Sequence, residues 1–197
     1  MTNLTATFNV CHAELSGYEH WDVRKCDWLC CFNGVIGTKS IDISAWDLSG
    51  CTNMNGLFTY SKELEEVKIG SINASGVRAM AEMFMECSDL KSIEMDFSGF
   101  SRVRSADSMF KGCSSLKEID ISDWNTSELT DCIEMFQNCT SLETIYLEME
   151  AENIEWDQMM FDGCTSLCTI YQSTDFPVGR YVTNVLWVRF SSGWLWN

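Results

Sequence analysis

Basic residues and long apolar runs are scarce in this sequence. Lysine and arginine number 13 against 29 aspartates and glutamates, which gives a formal net charge of −16. A surface of this sign repels phosphate backbones and anionic lipid, so nucleic acid is not expected as a partner. No stretch approaches the roughly 20 apolar residues that a transmembrane helix needs, and membrane insertion is not expected either.

Histidine is almost absent, and both copies, His12 and His20, lie near the N-terminus. Nucleophilic triads need a base beside the nucleophile, usually a histidine. The abundant carboxylates recur at regular positions along the chain rather than around a recognisable pocket. We therefore expect a protein that is not an enzyme and that carries no cofactor.

A secretory leader is also missing from the start of the sequence. The first residues contain neither a basic segment nor an apolar run, which are the two marks of a signal peptide. We expect synthesis in the cytosol, followed by one of two fates. The protein is either incorporated into a virion or another assembly, or displayed on a cell surface by an unrecognised route.

What the sequence does contain is an internal repeat. A leucine follows the repeated phenylalanine six residues later in five repeats, and an aliphatic residue follows it nine residues later in all of them. A constant period of this length is typical of solenoids, in which each coil buries its apolar face against its neighbours. The phenylalanines recur at intervals of 26 residues, the last being 25: Phe32, Phe58, Phe84, Phe110, Phe136 and Phe161.

Each repeat contains the pattern of a short strand followed by a return segment. In the best-preserved repeat, Leu-x-x-Ile-x-Ile alternates with polar residues, so Glu118 and Asp120 are predicted to face outward. The spacing of Leu129, Cys132 and Met135 predicts a short helical return to the next strand. The predicted fold class is an α/β repeat solenoid of about six coils of 25–26 residues, with a parallel sheet on one face.

The repeat that starts at Met109 reads Met-Phe-x-x-Cys-x-x-Leu-x-x-Ile-Asp-x-Ser-x-Trp-x-Thr-Ser. It closely resembles the BspA-type leucine-rich repeat. The resemblance covers about Cys31 to Tyr171 and is weaker in the early repeats, where Ser61 replaces the cysteine. It implies a leucine-rich-repeat-like solenoid. It also implies a family found mainly on bacterial surfaces, in adhesion and protein-binding roles, and carried too by some phage and protist genomes.

Three segments follow from where the repeat begins and ends. Residues 1–30 are predicted to be an N-terminal cap, residues 31–172 the solenoid, and residues 173–197 an aromatic C-terminal β-hairpin cap or docking segment. Caps are expected because the end coils of a solenoid expose apolar surface. The only proline, Pro177, marks the break after the last repeat.

Eleven cysteines raise the question of disulfides and metal. Stacking of one repeat position places side chains in parallel, which is poor disulfide geometry, so buried free thiols are predicted at Cys87, Cys113, Cys139 and Cys164. Near the N-terminus three interpretations stay open: a zinc site, a disulfide from Cys11, or plain packing. No Cys-x-x-Cys pair is present, and we expect no metal. The residues concerned are Cys11, His12, His20, Cys26, Cys30 and Cys31.

The outward strand positions form a candidate ligand face. Extended solenoid surfaces commonly bind partners, although a merely solvated sheet face gives the same pattern. The end that carries two tyrosines is favoured, because tyrosine is enriched at interfaces. We expect a non-enzymatic recognition or adhesion module for a protein or glycan ligand. The candidates are Glu66, Lys68, Glu94, Glu118, Asp120, Thr144, Tyr146, Thr169 and Tyr171.

The aromatic C-terminus is a second candidate interaction surface. Residues 180–197 alternate in polarity and resemble a β-hairpin with aromatic residues in both limbs. This segment either closes the last coil or docks onto a partner. Docking would make the protein a structural component of a larger assembly, such as a decoration, fibre or tail-associated protein of a phage virion. The docking candidates are Trp187, Phe190, Trp194 and Trp196.

Overall fold

The fold was obtained as a computed structural model. It describes residues 10–24, 30–70, 73–149 and 153–172, together with the backbone of residues 186–189. In these ranges no helix is long and apolar enough to cross a membrane.

The described chain is a parallel β-solenoid of about five turns. It has seven short strands, of which the first six recur at the repeat interval, and every hydrogen-bonded pair of strands is parallel. They form two sheets, one of three strands in the order β1-β2-β3 and one of four in the order β4-β5-β6-β7. The strands are β1 (Ser40–Asp42), β2 (Glu66–Gly70), β3 (Ser92–Met95), β4 (Glu118–Ile121), β5 (Thr144–Leu147), β6 (Thr169–Gln172) and β7 (Leu186–Arg189).

A ladder of phenylalanine rings forms the centre of the core. The six predicted rings stack face to face, with centroid separations of 5.2 to 5.6 Å and interplanar angles of 11° or less. All six are buried. Because each ring contacts the ring of the next coil, the apolar surface that one coil cannot cover is buried by its neighbours.

The four repeat cysteines form a second ladder beside the rings. Their thiols make hydrogen bonds between coils, which the sequence did not reveal. Each thiol donates a hydrogen bond to the phenylalanine carbonyl of the preceding coil, at sulfur–oxygen distances of 2.9 to 3.2 Å. Ser61, the residue that replaces cysteine in an early repeat, donates to Phe32 O at 2.7 Å. The position therefore selects a small side chain that donates a hydrogen bond, rather than any small apolar one. The thiols are those of Cys87, Cys113, Cys139 and Cys164.

None of the ten cysteines in the described ranges is in a disulfide bond. Of the predicted buried free thiols, Cys87, Cys113 and Cys139 are buried, whereas Cys164 is only partly buried. Burial raises the pKa of the Cys87 thiol to about 12. Burial also raises the pKa of Cys113. A thiolate is the reactive form of cysteine, so these side chains are structural rather than nucleophilic.

The predicted helical returns are not observed, and the α/β class is not confirmed. Between the strands the described ranges contain turns, bends, isolated bridges and short 3-10 segments such as Phe97–Gly99, and no α-helix. The reason is backbone conformation: Glu134 and Asn138, two residues on either side of Phe136, both have positive φ. Left-handed residues interrupt an α-helix. Alternate N–H groups here bond to the next coil instead, as Phe136 N does to Met160 O at 2.8 Å, and those between them bond three residues back, as Gln137 N does to Glu134 O.

Residues with positive φ interrupt the return segments of other coils as well. Residues two before and two after the ladder phenylalanine adopt positive φ in several coils, including Glu82, Glu86, Ser108 and Gly112. A side chain on Gly112 would lie 2.7 Å from the Glu86 carboxylate, so that flexible side chain would have to move. The count of six coils is likewise not confirmed, since the structure has about five turns.

The N-terminal segment covers the first ring of the ladder. Tyr18 is buried and meets Phe32 edge-on at 5.3 Å between ring centroids. The indole N–H of Trp46 donates to Tyr18 O at 3.0 Å, and Trp21 stacks on Trp46 at 6.2 Å. The rest of the predicted cap, residues 1–9 and 25–29, lies outside the described residues.

At the other end, β7 adds to the edge of the second sheet. It pairs in parallel with β6, with Trp187 in register with Ile170 and Val188 in register with Tyr171. The second limb of the predicted hairpin lies outside the described residues, so the hairpin stays a prediction.

Candidate ligand-binding face

The strand face consists of the outward positions of β1 to β6, and the parallel register aligns them as the repeat predicts. Glu66 lies between Ser40 and Ser92 in the first sheet. Thr144 lies between Glu118 and Thr169 in the second. The inward neighbours are buried in most coils, so the alternation along each strand places these residues on one side.

In the first sheet the charged candidate residues form ion pairs with each other. Lys68 Nζ lies 3.3 Å from Glu94 and 3.9 Å from Glu66. These side chains are between about a third and two thirds exposed, and ion pairs of this kind contribute less than about 1 kcal/mol. This half of the strand face is a solvated surface, on which Lys68 partly neutralises the charges of Glu66 and Glu94.

In the second sheet the candidates form a different surface, with two carboxylates beside aromatic rings. Tyr146 and Tyr171 stack in parallel with ring centroids 4.6 Å apart, and we call this pair the tyrosine platform. Both rings are partly exposed, as are Thr144 and Thr169 beside them. Asp120 continues the tyrosine column and is exposed. The structure therefore brings together the residues that were favoured as the adhesive end.

The two sheets do not join, and the sequence did not predict this interruption. Between β3 and β4 lies a groove of about 540 Å³. The lining residues are Lys91 to Met95, Phe97, Leu116, Glu118 to Asp120, Ser122 and Asp123. Three ligand-face candidates, Glu94, Glu118 and Asp120, therefore lie on the walls of a concavity rather than on a continuous sheet.

The sequence signal for the interruption lies in the third coil. Phe97 occupies the repeat position that Ala45 and Asp123 occupy in other coils, and it is buried. Its ring packs against Trp124 at 5.6 Å between centroids. We attribute the separation of the strands to this aromatic contact between the two coils. Side-chain size alone is not sufficient, since the buried Met149 occupies the same repeat position in a coil whose strand pairs on both sides.

The N-terminal cluster does not form a site in the described chain. His12 makes a parallel bridge with Ile36, and none of Cys11, Cys30 and Cys31 is in a disulfide bond. Within the described ranges no group of three potential metal ligands is assembled. Cys26 lies outside those ranges.

Most of the C-terminal docking candidates lie outside the residues that the structure describes. Phe190, Trp194 and Trp196 lie outside the described residues, and only the backbone of Trp187 is defined, in β7. Docking into a larger assembly stays a prediction.

Comparison with known proteins adds two solved structures. One is a leucine rich cell surface protein from Faecalibacterium prausnitzii A2-165, with 22% identity, a TM-score of 0.44, and coverage of 75% of this chain and 33% of that one. The other is a leucine-rich repeat protein from Bacteroides ovatus ATCC 8483, with 19% identity, a TM-score of 0.49, and coverage of 85% and 46%. The chain thus spans less than half the length of either. Comparison with curated proteins finds no match.

A protein family matches over three overlapping segments, residues 2–99, 26–118 and 93–174, which together cover most of the chain. The match confirms the resemblance to the BspA-like repeat family, although it does not test the individual Met-Phe-x-x-Cys unit. The chain belongs to the family described as Mycoplasma protein of unknown function, DUF285, a BspA-like repeat family.

Proposed function

We propose that the protein is a non-enzymatic recognition or adhesion module whose tyrosine platform binds a protein or glycan ligand. The observation that carries the proposal is the stacked pair Tyr146 and Tyr171, at 4.6 Å on the open side of the sheet. Tyrosine offers a broad apolar ring with a hydroxyl at its edge and loses little conformational entropy when it is bound.

The surroundings of the platform favour a ligand that combines apolar and hydrogen-bonding groups. Thr144 and Thr169 are paired in register on β5 and β6 and add two hydroxyl groups beside the rings. Asp120 adds a carboxylate in line with them. Both a sugar ring and an aliphatic side chain of a protein would find a flat partner in such a surface.

The test compares the tyrosine platform with a tyrosine elsewhere. Wild type is screened against immobilised glycans and purified proteins, and the strongest ligand is then titrated against a Tyr146→Ala/Tyr171→Ala variant. We expect the double variant to bind at least about tenfold more weakly, as is typical when interface aromatic residues are removed.

The matched control is Tyr60→Ala, because Tyr60 is half exposed and is not part of the strand face. It should leave the affinity unchanged, while circular dichroism confirms that all variants are folded. Unchanged binding by the double variant would contradict the proposal.

A further inference from the structure

The junction between β3 and β4 lacks a hydrogen-bond arrangement that four other strand junctions share. At the β1–β2, β2–β3, β4–β5 and β5–β6 junctions, one carbonyl accepts the N–H groups of two consecutive residues from the next coil. The equivalent atoms here, Lys91 O and Glu118 N, do not pair with each other. In the described chain β3 pairs only with β2 and β4 only with β5. The accepting carbonyls elsewhere are those of Lys39, Glu65, Lys117 and Glu143.

The same two coils are closed on every other side of the groove. Behind it, Phe84 and Phe110 stack at 5.5 Å. Before the strands, Ser114 Oγ donates to Ser88 O at 3.2 Å. After them, the indole N–H of Trp124 donates to the carbonyl of Phe100 at 3.1 Å. The groove is therefore a bounded opening on the strand face, and it is not a general separation of the coils.

The floor of the groove is apolar and incompletely covered. Ile93 is partly exposed, whereas its equivalents Ile41, Val67, Ile145 and Ile170 are fully buried. Met95 is also partly exposed. An apolar column that is buried beneath every paired junction thus becomes accessible where the strands separate. Covering it is favourable by about 25 cal/mol per Å² of apolar surface.

The walls of the groove carry mostly negative charge. Glu94, Glu118, Asp120 and Asp123 line it, and Lys91 is the one basic residue among the lining residues. Glu94 is in part neutralised by Lys68 at 3.3 Å, which leaves three carboxylates on the β4 side. A partner that carries lysine or arginine complements this surface, and the net charge of −16 steers such a partner toward the protein.

We propose that the groove binds an extended, basic segment of a partner protein, which adds as a strand to the free edge of β3 or β4. Its aliphatic side chains cover Ile93 and Met95, and its lysine or arginine side chains reach the carboxylates of β4. Strand addition to an unpaired edge supplies backbone hydrogen bonds, while the pocket beneath selects the side chains. Each strand has four residues, so the paired segment has a similar length. This site adjoins the tyrosine platform, because Asp120 lines the groove and is in register with Tyr146, but it includes neither tyrosine ring.

The first experiment measures amide hydrogen exchange in the free protein. Glu118 N–H should exchange much faster than Thr144 N–H, its equivalent on β5, which bonds to Lys117 O at 3.2 Å. Equal protection of the two amides would show that β3 and β4 pair in solution, and it would overturn the proposal.

The second experiment titrates a capped peptide of alternating lysine and valine into the protein and follows the backbone amides by NMR. We expect shifts that are concentrated on β3 and β4 and slower exchange at Glu118. A Glu118→Gln/Asp120→Asn variant should bind about tenfold more weakly. A Glu66→Gln variant, changed at the equivalent position of a paired strand, should bind normally.

Two control peptides test the mechanism. A peptide of alternating glutamate and valine should not bind, and a lysine–valine peptide with N-methylated valines should lose affinity, because it cannot donate backbone hydrogen bonds. Undiminished binding of the N-methylated peptide, or equal weakening by Glu66→Gln, would indicate general charge attraction and would overturn the proposal. Tyr146→Ala/Tyr171→Ala should leave peptide binding intact, so failure of either binding site is recognised independently of the other.

Discussion

The junctions among β4, β5 and β6 and the junction between β3 and β4 are built from the same repeat, yet they differ in structure. At the former, the strands pair and the apolar columns Ile145 and Ile170 are fully buried. At the latter, the strands separate and Ile93 is partly exposed. The phenylalanine rings stack with nearly the same spacing behind both, at 5.5 Å and 5.2 Å.

The comparison shows that the coils keep their register without strand pairing. The contacts that remain are the stacked rings and the backbone hydrogen bonds beside them, such as Phe84 N to Met109 O at 2.9 Å. One coil can lose its strand pairing without loss of stacking, because the two sets of contacts lie on different sides of the coil. Phe97 then acts as a local insertion into an otherwise regular solenoid. A repeat protein can in this way acquire a single concave site, since each coil interacts mainly with its neighbours.

The largest expected difference between the two regions lies in the burial of the apolar column. Ile145→Ala should destabilise the protein by about 2–5 kcal/mol, the usual cost of truncating a fully buried isoleucine. Ile93→Ala should cost only about 1–2 kcal/mol, because its side chain is already partly hydrated. Urea unfolding followed by tryptophan fluorescence measures both. Equal losses would indicate that the groove is closed in solution.

A smaller loss of stability, from replacement of the repeat cysteines, tests whether the cysteine ladder is continuous behind the groove. Cys113 spans the open junction and Cys139 a paired one, with almost identical hydrogen bonds of 3.2 and 3.0 Å. Replacement of either by alanine should cost about 1–2 kcal/mol through the lost hydrogen bond and the small cavity. Replacement by serine should cost less, since Ser61 already makes this bond in an earlier coil.

The control for the cysteine variants is Cys168→Ala, because Cys168 is exposed and its loss should change stability by less than about 0.5 kcal/mol. Unfolding midpoints of the five variants give the comparison directly. A much smaller loss for Cys113→Ala than for Cys139→Ala would mean that the coils also separate on the side of the rings.

Much of this fold was predictable from the sequence, because the repeat interval identified the positions of the core residues. The constant interval of the phenylalanines predicted stacked coils, and the alternation around Ile119 predicted a strand with buried Ile119 between exposed Glu118 and Asp120. The helical returns were wrongly inferred from side-chain spacing alone. Backbone φ is not encoded by apolar spacing, and residues such as Glu134 take the left-handed conformation without being glycine.

The candidate site was predictable only in part. The outward columns followed from the repeat, so the neighbours Tyr146 and Tyr171 could be identified as a pair before their rings were seen to stack. The groove could not be predicted in the same way, since the repeat interval is unchanged across it. Phe97, which stands where other coils have alanine, serine, aspartate or methionine, was the available signal. Its effect depends on packing against Trp124, a contact between coils.

The smallest expected effect comes from the charge at the groove. Burial raises the pKa of the Asp123 carboxyl above its ordinary value, and the neighbouring Asp96 carboxylate raises it further. A raised pKa in the folded state means that protonation favours folding. The stability that Asp123 contributes is therefore present at low pH and is lost as the pH rises through the raised pKa. Asp123→Asn should therefore stabilise the protein at pH 7, by less than about 1 kcal/mol because the residue is exposed to screening solvent.

The gain from Asp123→Asn should disappear near pH 3, where the carboxyl is protonated in both the folded and unfolded states. Asp42, on the paired strand β1, provides the opposite case. Hydrogen bonds from Ser44 lower the pKa of its carboxyl, so Asp42→Asn should destabilise the protein at pH 7. Urea midpoints of both variants at the two pH values test this difference in sign. Stabilisation by both variants at pH 7 would show that relief of the overall negative charge, rather than the local structure of the groove, determines the effect, because that charge acts on both residues alike.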